Sequence, residues 1–376
     1  MGISTCALEN MVNLFGGIYK DKTILLTGNS GFKGSWMSYW LTKMGAQVIG
    51  FSKDIPSEPS HFKFLENSYS EFIVGDVTDL KHLESTFNKN KIDIVFHLAA
   101  QSLVRYSYKH PIETFQTNVI GTANVIEVCK QNKSVKGIVV VTSDKCYENF
   151  EDDRPYNETD RMGGYDPYSA SKGCAELVAS SYRRSFFPLN EYGKKHTFIL
   201  ASGRAGNVIG GGDWSEDRLI PDIVKNTAKG LQTEIRNPKA TRPWQHVLEP
   251  VSGYLLLGQK ILEGDVTISD GWNFGPENNE TLSVAEVLKK AINIWPSITY
   301  NTPPQYDIPH EAKLLRLDCT KAKTILNWRP VWNTDTAIEN TILWYKNFHD
   351  HHTLNTEIDL RNYITKAKEL KYVWAK

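Results

Sequence analysis

The chain has 376 residues, 40% of them hydrophobic, with 43 Lys and Arg against 43 Asp and Glu. That length and apolar content imply two folding units of about 150 residues, or one large unit with a lobe, and exclude a disordered or fibrous chain; the charge balance points to neither nucleic acid nor an anionic membrane as partner. Five scattered cysteines (Cys6, Cys129, Cys146, Cys174, Cys319) without CxxC spacing argue against a zinc site and a disulfide framework, so no metal and a reducing cytoplasm are expected.

Residues 1–20 carry no organised pattern and are read as an extension of unknown role; Met1 to Cys6 fits neither a signal peptide nor a myristoylation motif. From Thr23 short apolar runs alternate with longer amphipathic stretches. The pattern predicts a strand over Thr23–Thr27, a helix over Phe32–Met44, and strands over Gln47–Phe51, Glu71–Val74 and Ile92–Leu98. A long helix over Ile112–Gln131 follows, then a strand over Gly137–Thr142, a helix from Tyr168 to Phe187, and a strand over Thr197–Ala201. Such alternation specifies an α/β fold, a Rossmann-type doubly wound parallel sheet. Every apolar run is strand-length, far short of the roughly 20 residues that span a membrane. After Arg204 glycines crowd between Gly206 and Asp213, and Pro, Trp and Asn become frequent. The expected division is a dinucleotide-binding domain over 21–204, a smaller substrate-binding lobe interleaved with it over 205–350, and a tail over 351–376.

Gly28-Asn-Ser-Gly31-Phe-Lys-Gly34 stands between the first strand and the first helix. Glycines there permit a tight turn, and the helix N-terminus offers free N–H groups to a pyrophosphate, so a dinucleotide is expected. The end of the second strand reads Ser52-Lys53-Asp54; Asp54 suits a ribose diol and Lys53 a 2′-phosphate, leaving NAD and NADP both open. Asp76, after the third strand, meets the adenine amino group or simply shapes a turn.

In Asp166-Pro-Tyr168-Ser-Ala-Ser-Lys172, Asp166 suits an N-cap and Pro167 the first helical position. Tyr168 and Lys172 then share one helical face, where the ammonium favours the phenolate and makes the pair a base toward a hydroxyl whose carbon loses hydride. Ser143, Asp144 and Lys145 follow the fifth strand, at the carboxyl edge where such sheets bind ligands. Ser143 suits a donor to that same hydroxyl. Asp144 and Lys145 add an acid and a base beyond what dehydrogenation needs, which suggests a second reaction step.

Gly28, Gly31 and Gly34 with Ser143, Tyr168 and Lys172 resemble the extended short-chain dehydrogenase/reductase superfamily. Thr27–Trp36, Thr142–Tyr147, Arg204–Trp214 and Asn237–His246 are similar within it to the nucleotide-sugar 4,6-dehydratases, and Lys145, where many carry Glu, marks those acting on CDP-glucose. The chain departs from that group at Asn29-Ser30, where His-Thr is expected. The resemblance implies NAD as cofactor, lined by Gly28, Gly31, Phe32, Gly34, Asp76, Val77, Leu98, Ala99, Ala100, Tyr168 and Lys172. It implies a nucleotide-sugar substrate, CDP-glucose, met by Gln101, Asn207, Arg218, Arg242 and Arg316, with bidentate guanidinium contacts to the diphosphate. It further implies that Tyr168, helped by Lys172 and Ser143, deprotonates O4. A neutral Lys145 with a depressed pKa removes the C5 proton, and Asp144 with a raised pKa protonates the departing O6. Another nucleotide-sugar 4,6-dehydratase is the nearest alternative; a 4-epimerase or reductase needs only the Tyr168–Lys172 pair, and a non-catalytic NAD-binding scaffold needs neither. Homodimers pairing the helices that begin near Ile112 and Tyr168 are expected.

Overall fold

The computed structural model describes residues 11–65, 69–150, 154–277, 280–303 and 315–376; Cys6 and the opening Met1–Cys6 segment lie outside the described residues. Seven strands form the central sheet: β1 (Thr23–Thr27), β2 (Gln47–Ser52), β3 (Glu71–Val74), β4 (Ile94–His97), β5 (Gly137–Val141), β6 (Ile199–Arg204) and β7 (Gly271–Asn273). Their order is 7-6-5-4-1-2-3 and every pairing is parallel. β1 pairs with β2 on one side and β4 on the other, so the chain reverses direction across the sheet beside β1. A crevice opens there at the carboxyl ends of the strands.

Alternate side chains of the buried strands enter opposite faces. Leu25, Val95, Ile138 and Leu200 pack under α2 (Leu80–Lys89) and α3 (Gly121–Gln131). Leu26, Phe96, Val139 and Ala201 pack under Trp36 and Trp40 of α1 (Phe32–Lys43). β6 runs on to Arg204, beyond the Ala201 expected from its apolar run, because β7 from the lobe pairs with its far end. The helix expected over Ile112–Gln131 contains a π turn at Gln116–Ile120, a widening that no residue pattern announces. The helix α4 (Pro167–Ser185) starts as expected: Asp166 Oδ1 accepts from the Ser169 N–H at 2.9 Å, with Pro167 in the first turn.

The remaining helices used below are α5 (Leu219–Ala228), α6 (Leu248–Glu263), α7 (Val284–Ile294), α8 (Thr334–His351) and α9 (Thr356–Glu369). Met11, Leu14, Phe15 and Tyr19 are buried, and Phe15 stacks on Trp374 at 5.2 Å, so both ends of the described chain pack on one core. Among the described residues no helix is long and apolar enough to cross a membrane.

Glu249, in the first turn of α6, ties the last helices to that core. Its carboxylate accepts from the N–H of Val331 and Trp332 at 2.9 and 2.8 Å and from the Tyr363 hydroxyl at 2.7 Å. Burial outweighs those donors and pushes the carboxyl up to about 7. The folded state therefore holds a proton that the unfolded chain releases near 4.5; this contribution to stability is complete below about 4.5 and is lost as pH rises through about 7. Glu249→Gln, which cannot titrate, is expected to flatten the dependence of the denaturation midpoint on pH across that window. An unchanged slope would exclude Glu249 as its source.

Candidate active site

β1 feeds α1 through the glycine loop. Gly28 has φ 74°, and a Cβ there would lie 2.6 Å from the Ala99 nitrogen, so only glycine lets the loop lie on the Leu98–Ala99 backbone after β4. A Cβ on Gly34 would lie 2.1 Å from the Gly28 carbonyl oxygen. The N-cap residue of α1, Gly31, brings no side chain to cap the first turn, and that turn holds no acid. Its N–H groups are therefore free for an anion, with Phe32 at the rim. The loop accordingly fits a dinucleotide's pyrophosphate. Asn29 and Ser30 are buried behind it: Ser52 Oγ donates to Asn29 Oδ1 at 2.8 Å, and Ser30 Oγ donates to the Asp54 carbonyl at 2.6 Å. The departure from the His-Thr pattern thus braces the loop against the end of β2.

At that end Lys53 lies 3.4 Å from Asp76 and 3.6 Å from Glu113. An ammonium shared by two carboxylates is a weak partner for a 2′-phosphate, and Asp54 beside it is exposed, an arrangement that suits a ribose diol. Asp76 Oδ1 also accepts from Thr78 N–H and hydroxyl at 2.9 and 2.8 Å, the turn-forming role. Val77 is buried against Gly121.

On the other side of β1, β5 delivers Ser143, Asp144 and Lys145 into a short turn facing α4. Ser143 Oγ donates to Asp144 Oδ1 at 2.8 Å and accepts from the Lys145 N–H at 3.3 Å. The proton of Ser143, expected on the substrate hydroxyl, is engaged by the adjacent carboxylate. Tyr168 and Lys172 are both buried, one turn apart on α4. Burial pushes the phenol up to about 12, and burial pushes the Lys172 ammonium down to about 8. The lowered phenol pKa expected from the pairing is therefore not a property of these side chains alone: loss of hydration dominates. The Lys145 ammonium is half-buried and has no hydrogen bond or ion pair among the described residues.

Asn207, at φ 52°, directs Nδ2 to Asp144 Oδ2 at 3.5 Å. Arg218, at the N-cap of α5, pairs with Asp213 at 2.8 Å and donates to Ser102 Oγ at 3.3 Å. Gln101 turns its amide onto its own loop, donating to Leu103 O and Thr114 Oγ1. Arg242 lies on a two-residue strand, Thr241–Arg242, antiparallel to Leu282–Ser283. Arg316 lies on a segment bridged to Tyr156. Trp214, Trp244 and Trp328 are buried packing residues.

Two residues of this crevice escape sequence reasoning. Lys33 rises from the first turn of α1, where burial, then Arg218 and Lys172, push its ammonium down to about 8. Its being the one charged residue in Gly28–Trp36 is the available signal. Asn118, carried by the π turn, donates to Ser171 Oγ at 2.8 Å and to Gln101 O at 2.9 Å and accepts from Gln101 N–H at 2.8 Å. It locks the loop after β4 to α4. The described residues hold no cluster of side chains suited to a metal ion.

Residues 25–341 match the family model described as GDP-mannose 4,6 dehydratase. The chain is 47% identical over 329 residues to CDP-glucose 4,6-dehydratase of Salmonella typhimurium, covering 87% of this chain and 91% of that one. Among solved structures it is similar to the epimerase Mth375 of Methanothermobacter thermautotrophicus, with TM-score 0.75, 22% identity, and coverage of 92% and 96% of the two chains. It is also similar to dTDP-glucose 4,6-dehydratase of Streptomyces venezuelae solved with NAD, with TM-score 0.72, 23% identity, and coverage of 86% and 97%. At that identity the structural likeness concerns the fold.

Proposed function

The chain belongs to the GDP-mannose 4,6-dehydratase family, and from that premise we propose that it is a hydro-lyase that holds NAD and converts CDP-glucose to CDP-4-keto-6-deoxyglucose. The observation carrying this reading is the 47% identity, over 87% of the chain, to an enzyme of that activity.

NAD held on the glycine loop supplies the hydride acceptor for C4 and the hydride donor for C6. Tyr168 Oη takes the proton of O4, with Lys172 one turn away favouring the phenolate and Ser143 fixing the phenol. The C4 ketone acidifies C5, from which Lys145 Nζ takes a proton. Asp144 delivers a proton to O6, which leaves as water, and C5 is reprotonated. One water is lost per turnover and no net redox change remains. Asn207, Arg218, Arg242 and Arg316 hold the nucleotide sugar, the arginines through its diphosphate.

We assign the product to deoxysugar biosynthesis, with lipopolysaccharide O-antigen as its destination, and the enzyme to the cytoplasm. Cys129, Cys146, Cys174 and Cys319, all unpaired, agree with a reducing compartment. The exposed apolar residues Ile112 and Ile120 on the helix before α3, with Leu177 and Phe186 on and just after α4, support a homodimer through these helices. Solution scattering is expected to return twice the chain mass; a monomer mass would undo that assignment.

Mass spectrometry of the purified protein with CDP-glucose, dTDP-glucose, UDP-glucose and GDP-mannose tests the reaction. Loss of one water from CDP-glucose alone, without added NAD, is the expected result. Water loss from none of the four would return the chain to an epimerase or a non-catalytic role.

A further inference from the structure

Directly behind the reacting side chains lies a buried polar chain that the dehydration steps do not use. Glu176, one turn beyond Lys172 on α4, pairs with Arg204 at the end of β6 at 2.8 Å. Its carboxylate also accepts the hydroxyls of Thr142 and Ser202, which fastens α4 to β5 and β6. Arg204 donates through Nη1 to the Tyr147 hydroxyl at 2.7 Å, and that hydroxyl donates to Asn273 Oδ1 at 2.7 Å. Asn273 Nδ2 donates in turn to the carbonyls of Tyr156 and Asp318 at 3.0 and 3.1 Å. The Tyr156 backbone completes the path: its N–H donates to Arg316 O and its carbonyl accepts from Asp318 N–H, both at 2.8 Å. Glu176, Arg204, Tyr147, Asn273 and Tyr156 are all at most 3% exposed.

A buried ion pair of this kind is not needed for stability, since well-packed apolar side chains serve as well or better; its distinctive property is one enforced geometry. Hydrogen bonds in low dielectric also strengthen one another along a chain, so a change at one end alters the other. Here one end holds the catalytic helix and the other the segment carrying Arg316. We propose that Glu176, Arg204, Tyr147 and Asn273 are positioning residues that couple seating of the substrate diphosphate on the Arg316 segment to placement of Lys172 on α4. The inference rests on the dehydratase reading and on Arg316 as a diphosphate ligand.

The test perturbs one end and reads the other, using the full-length protein with its bound NAD. Glu176→Gln, on the catalytic helix, is expected to weaken binding of CDP, measured by calorimetry, about threefold or more, although it lies at the far end of the path from Arg316. Tyr147→Phe, which removes one hydroxyl, is expected to slow the appearance of reduced-nicotinamide absorbance at saturating CDP-glucose about tenfold. With both single variants also measured for CDP affinity, the double variant should weaken CDP binding by less than the product of the two single effects on that affinity, because one path is broken twice. A merely structural role would lower the melting midpoint while leaving CDP affinity in place. Wild-type CDP affinity in Glu176→Gln, or a double variant equal to the product, overturns the coupling. Should Glu176→Gln fail to fold, Tyr147→Phe carries the CDP measurement with the same two outcomes. If the wild-type protein removes no water from CDP-glucose, the functional reading falls, and the CDP arm still decides the coupling.

Discussion

Tyr168→Phe is expected to lower turnover of CDP-glucose by about a thousandfold or more while leaving the fold and CDP binding in place. In the proposed reaction the phenol takes the O4 proton, and removal of a placed acid–base group costs about 10²–10⁴ in rate. Its ring is buried on α4 and its hydroxyl is the only atom lost, so packing is conserved. Rapid-mixing measurement of reduced-nicotinamide absorbance reads the affected step directly; a rate within tenfold of wild type would remove Tyr168 from the chemistry. The pH dependence follows from its neighbour. Burial sets the Lys172 ammonium near 8 and the phenol near 12. Raising the pH favours the phenolate, but above about 8 Lys172 becomes neutral and its support for that phenolate is lost. The oxidation rate should therefore rise toward pH 8 and bend over there. Lys172→Arg, which stays charged, should move the bend to higher pH.

The sequence carried the scaffold of this site more fully than its wiring. The sheet strands over Thr23–Val141 lie within two residues of their expected bounds; β1, β4 and β5, buried on both faces, read as apolar runs whatever surrounds them. Gly28, Tyr168 and Lys172 were legible for a related reason: a positive-φ turn and a one-turn spacing on a helix are local requirements. What stayed hidden depends on partners distant in the chain. Arg204 reads as the first residue of the Arg204–Trp214 motif, and only the fold shows it answering Glu176, 28 residues earlier, and Tyr147, 57 residues earlier. Gln101 was expected to meet substrate, but the π turn brings Asn118 against its backbone and the amide folds onto Leu103 and Thr114. Ser143 was read as a substrate donor without allowance for Asp144, the very next residue, as a competing acceptor.

The Asp144→Asn, Lys145→Ala double variant should separate the two halves of the proposed reaction, because in it neither group acts at O4. With Tyr168, Lys172 and Ser143 in place, C4 oxidation is expected to proceed and reduced-nicotinamide absorbance to accumulate on adding CDP-glucose. The C5 proton and the O6 leaving group then have no partners, and water loss is expected to fall by about 10³-fold or more. An adjacent glycine permits a gentler version that leaves every reacting group present. A Cβ on Gly206 would lie 1.9 Å from Asp144 Oδ2, so Gly206→Ala must move that carboxylate. A displacement of about 1 Å costs roughly a hundredfold where geometry governs the step. Because Asp144 is also the acceptor for the Ser143 hydroxyl, the shift should reach the phenol weakly and O6 strongly. Gly206→Ala is therefore expected to slow elimination far more than oxidation, and mass spectrometry beside absorbance measures both. Equal slowing of the two steps would mean that Asp144 serves the phenol rather than the departing oxygen, and the assignment of the acid would then have to leave Asp144.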